Sequence, residues 1–156
     1  MLYKVSAATF GKSVASLLFV VFSLQVSASG PEVRSEQQRQ VEVHKFIADR
    51  LRTWQERMNL RDWDLRVELL RADQLEPKTL GNIHWDTDVK KATIGVLSPL
   101  DYPLPYNAML ADMEVTVVHE LVHLQLASLP RSEASRRTEE RAVNEIAATL
   151  LRLSQR

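Results

Sequence analysis

Hydrophobic and polar residues repeat with two different periods in the first half of this chain of 156 residues. Between residues 43 and 58 the apolar side chains recur every three or four positions, which predicts an amphipathic helix. The apolar stripe consists of Val43, Phe46, Ile47, Leu51, Trp54 and Met58. From Trp63 to Leu69 apolar residues instead alternate with Asp64, Arg66 and Glu68, a period that predicts a half-buried strand.

Two further strands are predicted beyond this one. The first is a short strand around Leu80 to Trp85, and the second runs from Lys91 to Leu97. Between them the polar residues from Asp86 to Lys90 predict a turn, and alternate apolar residues of the later strand share one face. We expect a small, mostly antiparallel sheet of about three strands.

A long buried helix is predicted after the proline-rich loop from Ser98 to Tyr106. It runs from about Asn107 until Leu129-Pro130 and is apolar nearly all round, which is typical of a buried helix. One face carries Leu110, Met113, Val117, Leu121 and Leu124, and the opposite face carries Asp112, Thr116, His119 and His123. An unsatisfied buried polar group costs about 1 to 3 kcal/mol, so the second face needs partners inside the protein.

A last helix is predicted from the polar stretch Arg131 to Thr138 until about Leu153. Its apolar residues at helical spacing predict an inward face made of Val143, Ile146, Ala147 and Leu150. A helix, then strands, then two helices predict an α+β fold.

The first 28 residues differ in composition from the rest. Lys4 and Lys12 precede an apolar run from Val14 to Leu24, and small residues follow up to Ala28. This pattern predicts a signal peptide cleaved after Ala28, and hence an exported protein, periplasmic or secreted. The alternative is an N-terminal membrane anchor over the uncharged stretch from Ser13 to Pro31, which the serine and glutamine residues in that stretch disfavour. We expect a signal peptide over 1–28, a polar segment over 29–40 and one domain over 41–156.

Charge and cysteine content narrow the possible partners. Without Lys4 and Lys12 the chain carries 18 basic and 20 acidic side chains, a net charge of −2. Because there is no basic excess, we expect no nucleic-acid partner. Once the leader is cleaved off, no stable membrane insertion is expected either. The chain has no cysteine, so its stability must come from the core, or from the core and a metal. No pattern indicates an oligomeric state.

The motif that indicates chemistry is His119-Glu120-Leu121-Val122-His123. On a helix the two imidazoles lie one turn apart on the same face, where they can bind one Zn²⁺ while Glu120 acts as a general base. A catalytic zinc needs a third protein ligand. A third histidine in the spacing His-x-x-Gly-x-x-His is excluded, because Leu126 and Leu129 occupy the glycine and histidine positions.

The third ligand is then expected among the acidic residues of the last helix, either Glu139 or Glu140. Helical geometry slightly favours Glu139, which lies nearer the centre of the inward stripe. Glu140 is favoured by Asn144 one turn further on, where an amide could hydrogen-bond a ligating imidazole. The residues alone leave both possibilities open.

The pattern from Met113 to Leu151 resembles the gluzincin metallopeptidases. The pair His119-Glu120-x-x-His123 followed by Glu140-x-x-x-Asn144 and apolar residues is especially similar to minigluzincins and to ImmA/IrrE-type proteases. Val143 stands where the latter have alanine, and those proteins are cytoplasmic regulators. The resemblance implies a zinc-dependent endopeptidase with Glu140 as the third ligand. Glu120 would take a proton from the water that attacks the peptide bond and return it to the leaving amine.

Several roles are assigned only as alternatives. The strand from Lys91 to Leu97 is a candidate edge for binding the peptide or protein substrate. The oxyanion could be stabilised by His84, Tyr102 or Tyr106. A non-catalytic alternative is an exported binding module whose zinc is structural, with Asp112 or His84 as a fourth ligand.

Two further expectations concern the first helix. The segment from Ser29 to Asn59 could be either a scaffold helix or an inhibitory pro-segment lying in the cleft. His44, on the same helix, is expected to be a solvated or boundary histidine.

Overall fold

The computed structural model describes residues 31–129 and 133–155. These residues form an α+β fold, as the periodicities predict. In chain order the elements are α1 (Pro31–Arg57), β1 (Asp64–Leu70), a 3₁₀ turn (Ala72–Gln74), β2 (Gly81–Asp86), β3 (Lys91–Leu97), α2 (Tyr106–Gln125) and α3 (Glu133–Ser154).

Two helix boundaries differ from the prediction. The first helix begins at Pro31, so the polar residues up to Gln40 belong to α1 and do not form a separate segment. Proline is well tolerated in the first turn of a helix, and the glutamate, glutamine and arginine residues that follow favour helix. The second helix ends at Gln125, because the backbone then tightens into turns with hydrogen bonds from Ala127 to Leu124 and from Leu129 to Leu126.

The sheet has the strand order β1-β3-β2 and is mixed. β2 pairs with β3 in the antiparallel sense, with Ile83 opposite Ile94, whereas β1 pairs with β3 in the parallel sense, with Val67 opposite Ile94. The prediction of a mostly antiparallel sheet is therefore wrong for one of its two strand pairs. The chain crosses from β1 to the far edge before the β2–β3 hairpin returns through the middle, and period-two alternation carries no information about that order.

α1 is part of the scaffold. Its predicted stripe is buried in the core, and Val43, Ile47, Leu51 and Trp54 are each no more than 5% exposed. They pack with Val67, Ala92, Ile94 and Val96 of the sheet and with the apolar residues of α2. An inhibitory segment lying in a cleft would not supply core residues, so the pro-segment alternative is wrong for this part of the chain.

Polar contacts fix α1 to its neighbours. The indole nitrogen of Trp54 donates to Glu114 on α2, at 2.8 Å. His44 is exposed, as predicted, and its Nε2 lies 3.3 Å from the carbonyl oxygen of Val67 on β1. Trp63 and Trp85 are partly buried against the core, in agreement with a packing role.

α2 is the central element of the fold. It contacts α1, α3, β2 and β3. The buried residues on its several faces confirm the prediction of a helix that is apolar nearly all round: Met109, Met113, Val117, Val118, Leu121, Val122 and Leu124. The polar side chains of such a helix lie close to other elements, so their positions are set by packing.

α3 packs on α2 through a narrow apolar face. Val143 and Ala147 are at most 1% exposed, and Leu150 is partly buried. Ile146 was predicted to face inward but is 42% exposed. Because α3 packs mainly against one neighbouring helix, the residues beside its line of contact stay at the surface.

The predicted signal peptide and its cleavage site at Ala28 lie outside the described residues. Within the described ranges, 31–129 and 133–155, no helix is both long enough and apolar enough to cross a membrane.

The scaffold role of α1 can be tested with two valines on the same helix. Val43 is fully buried and Val41 is 70% exposed. We expect Val43→Ala to lower the free energy of unfolding by about 2 kcal/mol, because it removes buried methyl groups and leaves a cavity. Val41→Ala is expected to change it by less than about 0.5 kcal/mol. Urea denaturation measures both, and equal effects would contradict the burial of this helix.

Candidate metal site

The packing of α3 against α2 brings three possible metal ligands together. The Nε2 atoms of His119 and His123 lie 3.0 Å apart. The carboxylate of Glu140 reaches both of them, with one oxygen 3.5 Å from His119 Nε2 and the other 3.3 Å from His123 Nε2. Among the described residues, these three form the group of histidine and acidic side chains that could hold a metal ion. The two histidines of the motif and Glu140, the acid implied by the resemblance, are thus adjacent.

The separations between these atoms match those of a small tetrahedral site. Zinc bound to nitrogen and oxygen at ~2.1 Å in tetrahedral geometry holds its donor atoms ~3.4 Å apart. The three observed separations range from 3.0 to 3.5 Å. An imidazole pair with a carboxylate is also a donor set that zinc accepts. The arrangement therefore fits zinc in both spacing and chemistry.

The other nitrogen of each imidazole is held by α3. The Nδ1 atom of His119 lies 3.2 Å from Asn144 Oδ1, and that of His123 lies 3.2 Å from Glu139 Oε1. Oxygen atoms accept hydrogen bonds here, so each Nδ1 carries the ring hydrogen. In a neutral ring of this tautomer the lone pair is on Nε2, the nitrogen that lies 3.3 to 3.5 Å from the Glu140 carboxylate.

This arrangement concentrates negative potential at one point. Two lone pairs and a carboxylate converge within hydrogen-bonding distance of one another, so a cation or a proton is needed to stabilise them. Burial, reinforced by the neighbouring His123, lowers the pKa of His119, whereas Glu140 and Asn144 act in the opposite direction. The lowered pKa disfavours protonation of His119 at neutral pH and leaves its lone pair for a metal.

Glu120 lies beside this group without belonging to it. Its side chain is directed to β2, where its Oε1 atom would lie 3.4 Å from a Cβ atom built on Gly81. The residue is only 7% exposed. Burial, and to a lesser extent the nearby Glu140 carboxylate, raise the pKa of Glu120 to about 7. A carboxylate with such a pKa can both accept and release a proton near neutral pH.

The group is accessible to solvent from the side of α3. The side chains of His119 and His123 are 20% and 12% exposed, whereas that of Glu140 is 56% exposed. A molecule approaching the histidines would therefore pass the Glu140 carboxylate.

The proposed fourth ligands do not reach the group. Asp112 precedes His119 by seven residues, which is about 10 Å along the helix. It accepts a hydrogen bond from the hydroxyl of Tyr102, at 2.5 Å, and burial, reinforced by this contact, raises the pKa of the tyrosine. His84 follows Gly81 by three residues on β2, and side chains alternate between the two faces of a strand. The His84 side chain therefore projects from the face of β2 that is turned away from α2.

The structure also tests the predicted oxyanion donors and the predicted substrate edge. Tyr102 is engaged with Asp112, His84 faces away, and Tyr106 begins α2 about 20 Å from His119. None of these three side chains lies at the histidines. The strand from Lys91 to Leu97 is not an edge, because it pairs with β1 on one side and with β2 on the other. The prediction of a substrate edge there is wrong.

Glu139, the other candidate ligand, makes a contact that the sequence did not predict. Helical geometry placed it on the inward side, and it does lie there, with its side chain only 16% exposed. It contacts Nδ1 of His123, on the side of the ring that faces away from Glu140. Its inward position on the helix was thus predicted correctly, but its contact is with Nδ1 of His123, outside the group formed by the two Nε2 atoms and Glu140.

Comparisons with known proteins return no relatives. No protein-family model, no curated protein and no solved structure matches this chain.

The raised pKa of Glu120 predicts a pH-dependent effect on stability. A carboxyl group with a folded-state pKa of about 7 instead of 4.5 favours the folded state below pH 4.5, and this contribution is lost as the pH rises through 7. In the metal-free protein we expect Glu120→Gln to raise the melting temperature at pH 8. The stabilisation is at most about 3 kcal/mol.

At pH 4 the same substitution is expected to have little effect, because Glu120 is then protonated in both states. Thermal melts in a chelator at the two pH values test this. A variant whose stability relative to the parent is independent of pH would contradict the raised pKa.

Proposed function

We propose that this protein is an exported zinc-dependent endopeptidase in which His119, His123 and Glu140 bind the metal. The observation that supports the proposal best is the three-residue group of donors with a buried carboxylate, Glu120, directly beside it. Three protein ligands leave one position of a tetrahedral ion open, which is typical of catalytic zinc and not of structural zinc.

The burial of Glu120 also favours catalysis over a purely structural site. Holding a carboxylate with a raised pKa in the interior costs stability, and a structural zinc site has no use for it. A structural site would need a fourth protein ligand, and neither Asp112 nor His84 is close enough to provide one. The binding module with a structural zinc is therefore the weaker alternative.

The residues around the metal would divide the work of hydrolysis. When bound, zinc supplies Lewis-acid chemistry, polarising a carbonyl group and acidifying water. Glu120 accepts a proton from the attacking water and passes it to the leaving nitrogen as the peptide bond breaks, so that one water yields a carboxylic acid and an amine. Glu139 and Asn144 keep the two imidazoles in the orientation and tautomer that binding requires.

The substrate would bind along β2, which is the edge strand next to α2. Leu97 donates its backbone N–H to Leu80, so in the antiparallel ladder Gly81 and Ile83 direct their backbone groups away from β3. An extended peptide could pair with these groups as an added strand. Because Gly81 lies beside Glu120, such a peptide would pass close to the proposed base.

The central experiment compares the full-length protein with its Glu120→Gln variant. We expect about one zinc per chain in both proteins by elemental analysis, and hydrolysis of fluorescently labelled casein by the parent. In the variant kcat should fall about 10²- to 10⁴-fold at unchanged zinc content, because the general base is lost. Zinc in both proteins with no hydrolysis by either would instead support the binding module, and absence of zinc would contradict both functions.

The ligand assignment is tested by comparing two adjacent glutamates. We expect Glu140→Gln to weaken zinc binding more than 100-fold, because a ligand is removed. Glu139→Gln should weaken it about 10- to 100-fold, since it removes only the hydrogen-bond partner of His123. Competition with a zinc chelator at pH 7 gives both affinities, and the reverse order would make Glu139 the ligand.

A further inference from the structure

Gly81, the first residue of β2, lies directly on α2 and has no room for a side chain. A Cβ atom there would overlap the Thr116 methyl group and would lie 2.8 Å from the carbonyl oxygen of Gly95 and 3.4 Å from Glu120 Oε1. The described glycines have no positive φ angle, so the backbone conformation does not require glycine. The close approach of the strand to the helix does.

The two atoms that a Cβ would meet most closely are held in place. Thr116 is only 8% exposed, and its hydroxyl donates to the backbone oxygen of Asp112 at 3.1 Å. Rotating its methyl group away would break this hydrogen bond. The Gly95 oxygen belongs to the backbone of the central strand. A side chain at residue 81 would therefore have to push β2 away from α2.

Glu120 follows Thr116 by one helical turn, so both side chains lie under Gly81. The backbone of β2 covers the carboxylate and limits where it can swing, which agrees with its 7% exposure. The position of the carboxylate thus depends on how closely β2 approaches the helix.

We propose that Gly81 is a positioning residue for Glu120. Because it lacks a side chain, β2 can rest on α2 and hold the Glu120 carboxylate at one place beside the imidazoles. The catalytic meaning of this inference rests on the proposed function, in which Glu120 is the general base. The geometric part concerns the location of one carboxylate and can be measured without any activity.

A peptide paired with β2 would move with the strand and keep its hydrogen bonds, whereas Glu120 stays on α2. A shift of β2 should therefore affect the chemical step more than substrate affinity. Proton transfer needs donor and acceptor within about 2.6 to 3.2 Å, and a displacement of about 1 Å can cost 100-fold in rate. In Gly81→Ala we therefore expect kcat to fall about 10- to 100-fold, with KM changed less than about 3-fold and with zinc content unchanged.

Gly95 provides a matched control on the adjacent strand. Gly81 pairs with Val96, and Gly95 is the residue before Val96. A side chain at Gly95 would therefore project from the opposite face of the sheet. A Cβ there would meet the Cδ1 atom of Leu70 and lie 2.5 Å from Asn82 Oδ1. Both atoms are at the far ends of side chains. Gly95→Ala should lose some stability but keep kcat within about 3-fold of the parent.

The experiment measures kcat, KM and zinc content of the full-length parent and both variants, at a temperature where circular dichroism shows all three folded. If Gly81→Ala lowers kcat no more than Gly95→Ala does, the inference is overturned. If Gly81→Ala does not fold, the same substitution is made beside Thr116→Ser, which removes the overlapping methyl group and retains the hydroxyl. In the double variant the added Cβ would still lie 2.8 Å from the Gly95 carbonyl oxygen, so β2 is still displaced, though by less. Its kcat should be about 3- to 10-fold below that of Thr116→Ser alone, and equal values would overturn the inference.

A crystallographic comparison separates this inference from the proposed function. In zinc-soaked crystals we expect the Glu120 carboxylate to be displaced by about 1 Å or more in Gly81→Ala and to stay in place in Gly95→Ala. If the parent hydrolyses nothing, the proposed function fails, while the displacement still decides whether Gly81 positions Glu120. An unmoved carboxylate in Gly81→Ala overturns the inference whatever the activity.

Discussion

The register between α2 and α3 determines whether a site exists at all. Val143 and Ala147 are buried against α2, and this contact sets the height at which the first turns of α3 lie beside the histidines. His123 contacts Glu139 while His119 contacts Asn144, so the two helices run antiparallel. A slip of one helical turn would separate these groups by about 5.4 Å and remove every contact in the site. The distances between the donors thus depend on how α3 packs against α2.

The helix at the centre of the core, α2, also bears the polar side chains of the candidate site. α2 is buried on several faces, so each polar group on it must be satisfied by a neighbouring element or carry a cost. α3 satisfies the imidazoles through Asn144 and Glu139, and the loop before α2 contacts Asp112 through Tyr102. For Glu120 the burial beneath β2 has the opposite effect, since its raised pKa indicates that the charged form is disfavoured. The burial of the Glu120 carboxylate therefore lowers the stability of the folded protein.

The sequence predicts the elements better than it predicts their arrangement. The sequence patterns located the three α-helices and the three strands of the described residues, but not the 3₁₀ turn at Ala72–Gln74 or the beginning of α1. The bounds of β3 were predicted without error because a turn and a proline-rich loop enclose that strand. The order of the strands was not predictable, since a parallel and an antiparallel neighbour require the same alternation of apolar residues. The exposed Ile146 shows the same limit, because a helical stripe does not reveal how wide the partner surface is.

The distinction between Glu139 and Glu140 shows why the residues of a site are harder to predict from the sequence than helices and strands. Successive residues on a helix are 100° apart, so two adjacent glutamates can both reach a neighbouring helix from opposite sides of the contact line. Here Glu139 reaches Nδ1 of His123 and Glu140 reaches Nε2 of the same ring. Which acid faces which nitrogen follows from the rotation of α3 about its axis, and this rotation is set by packing that no local pattern encodes. The sequence therefore identifies the residue types of such a site, while the tertiary contact between α2 and α3 assigns their roles.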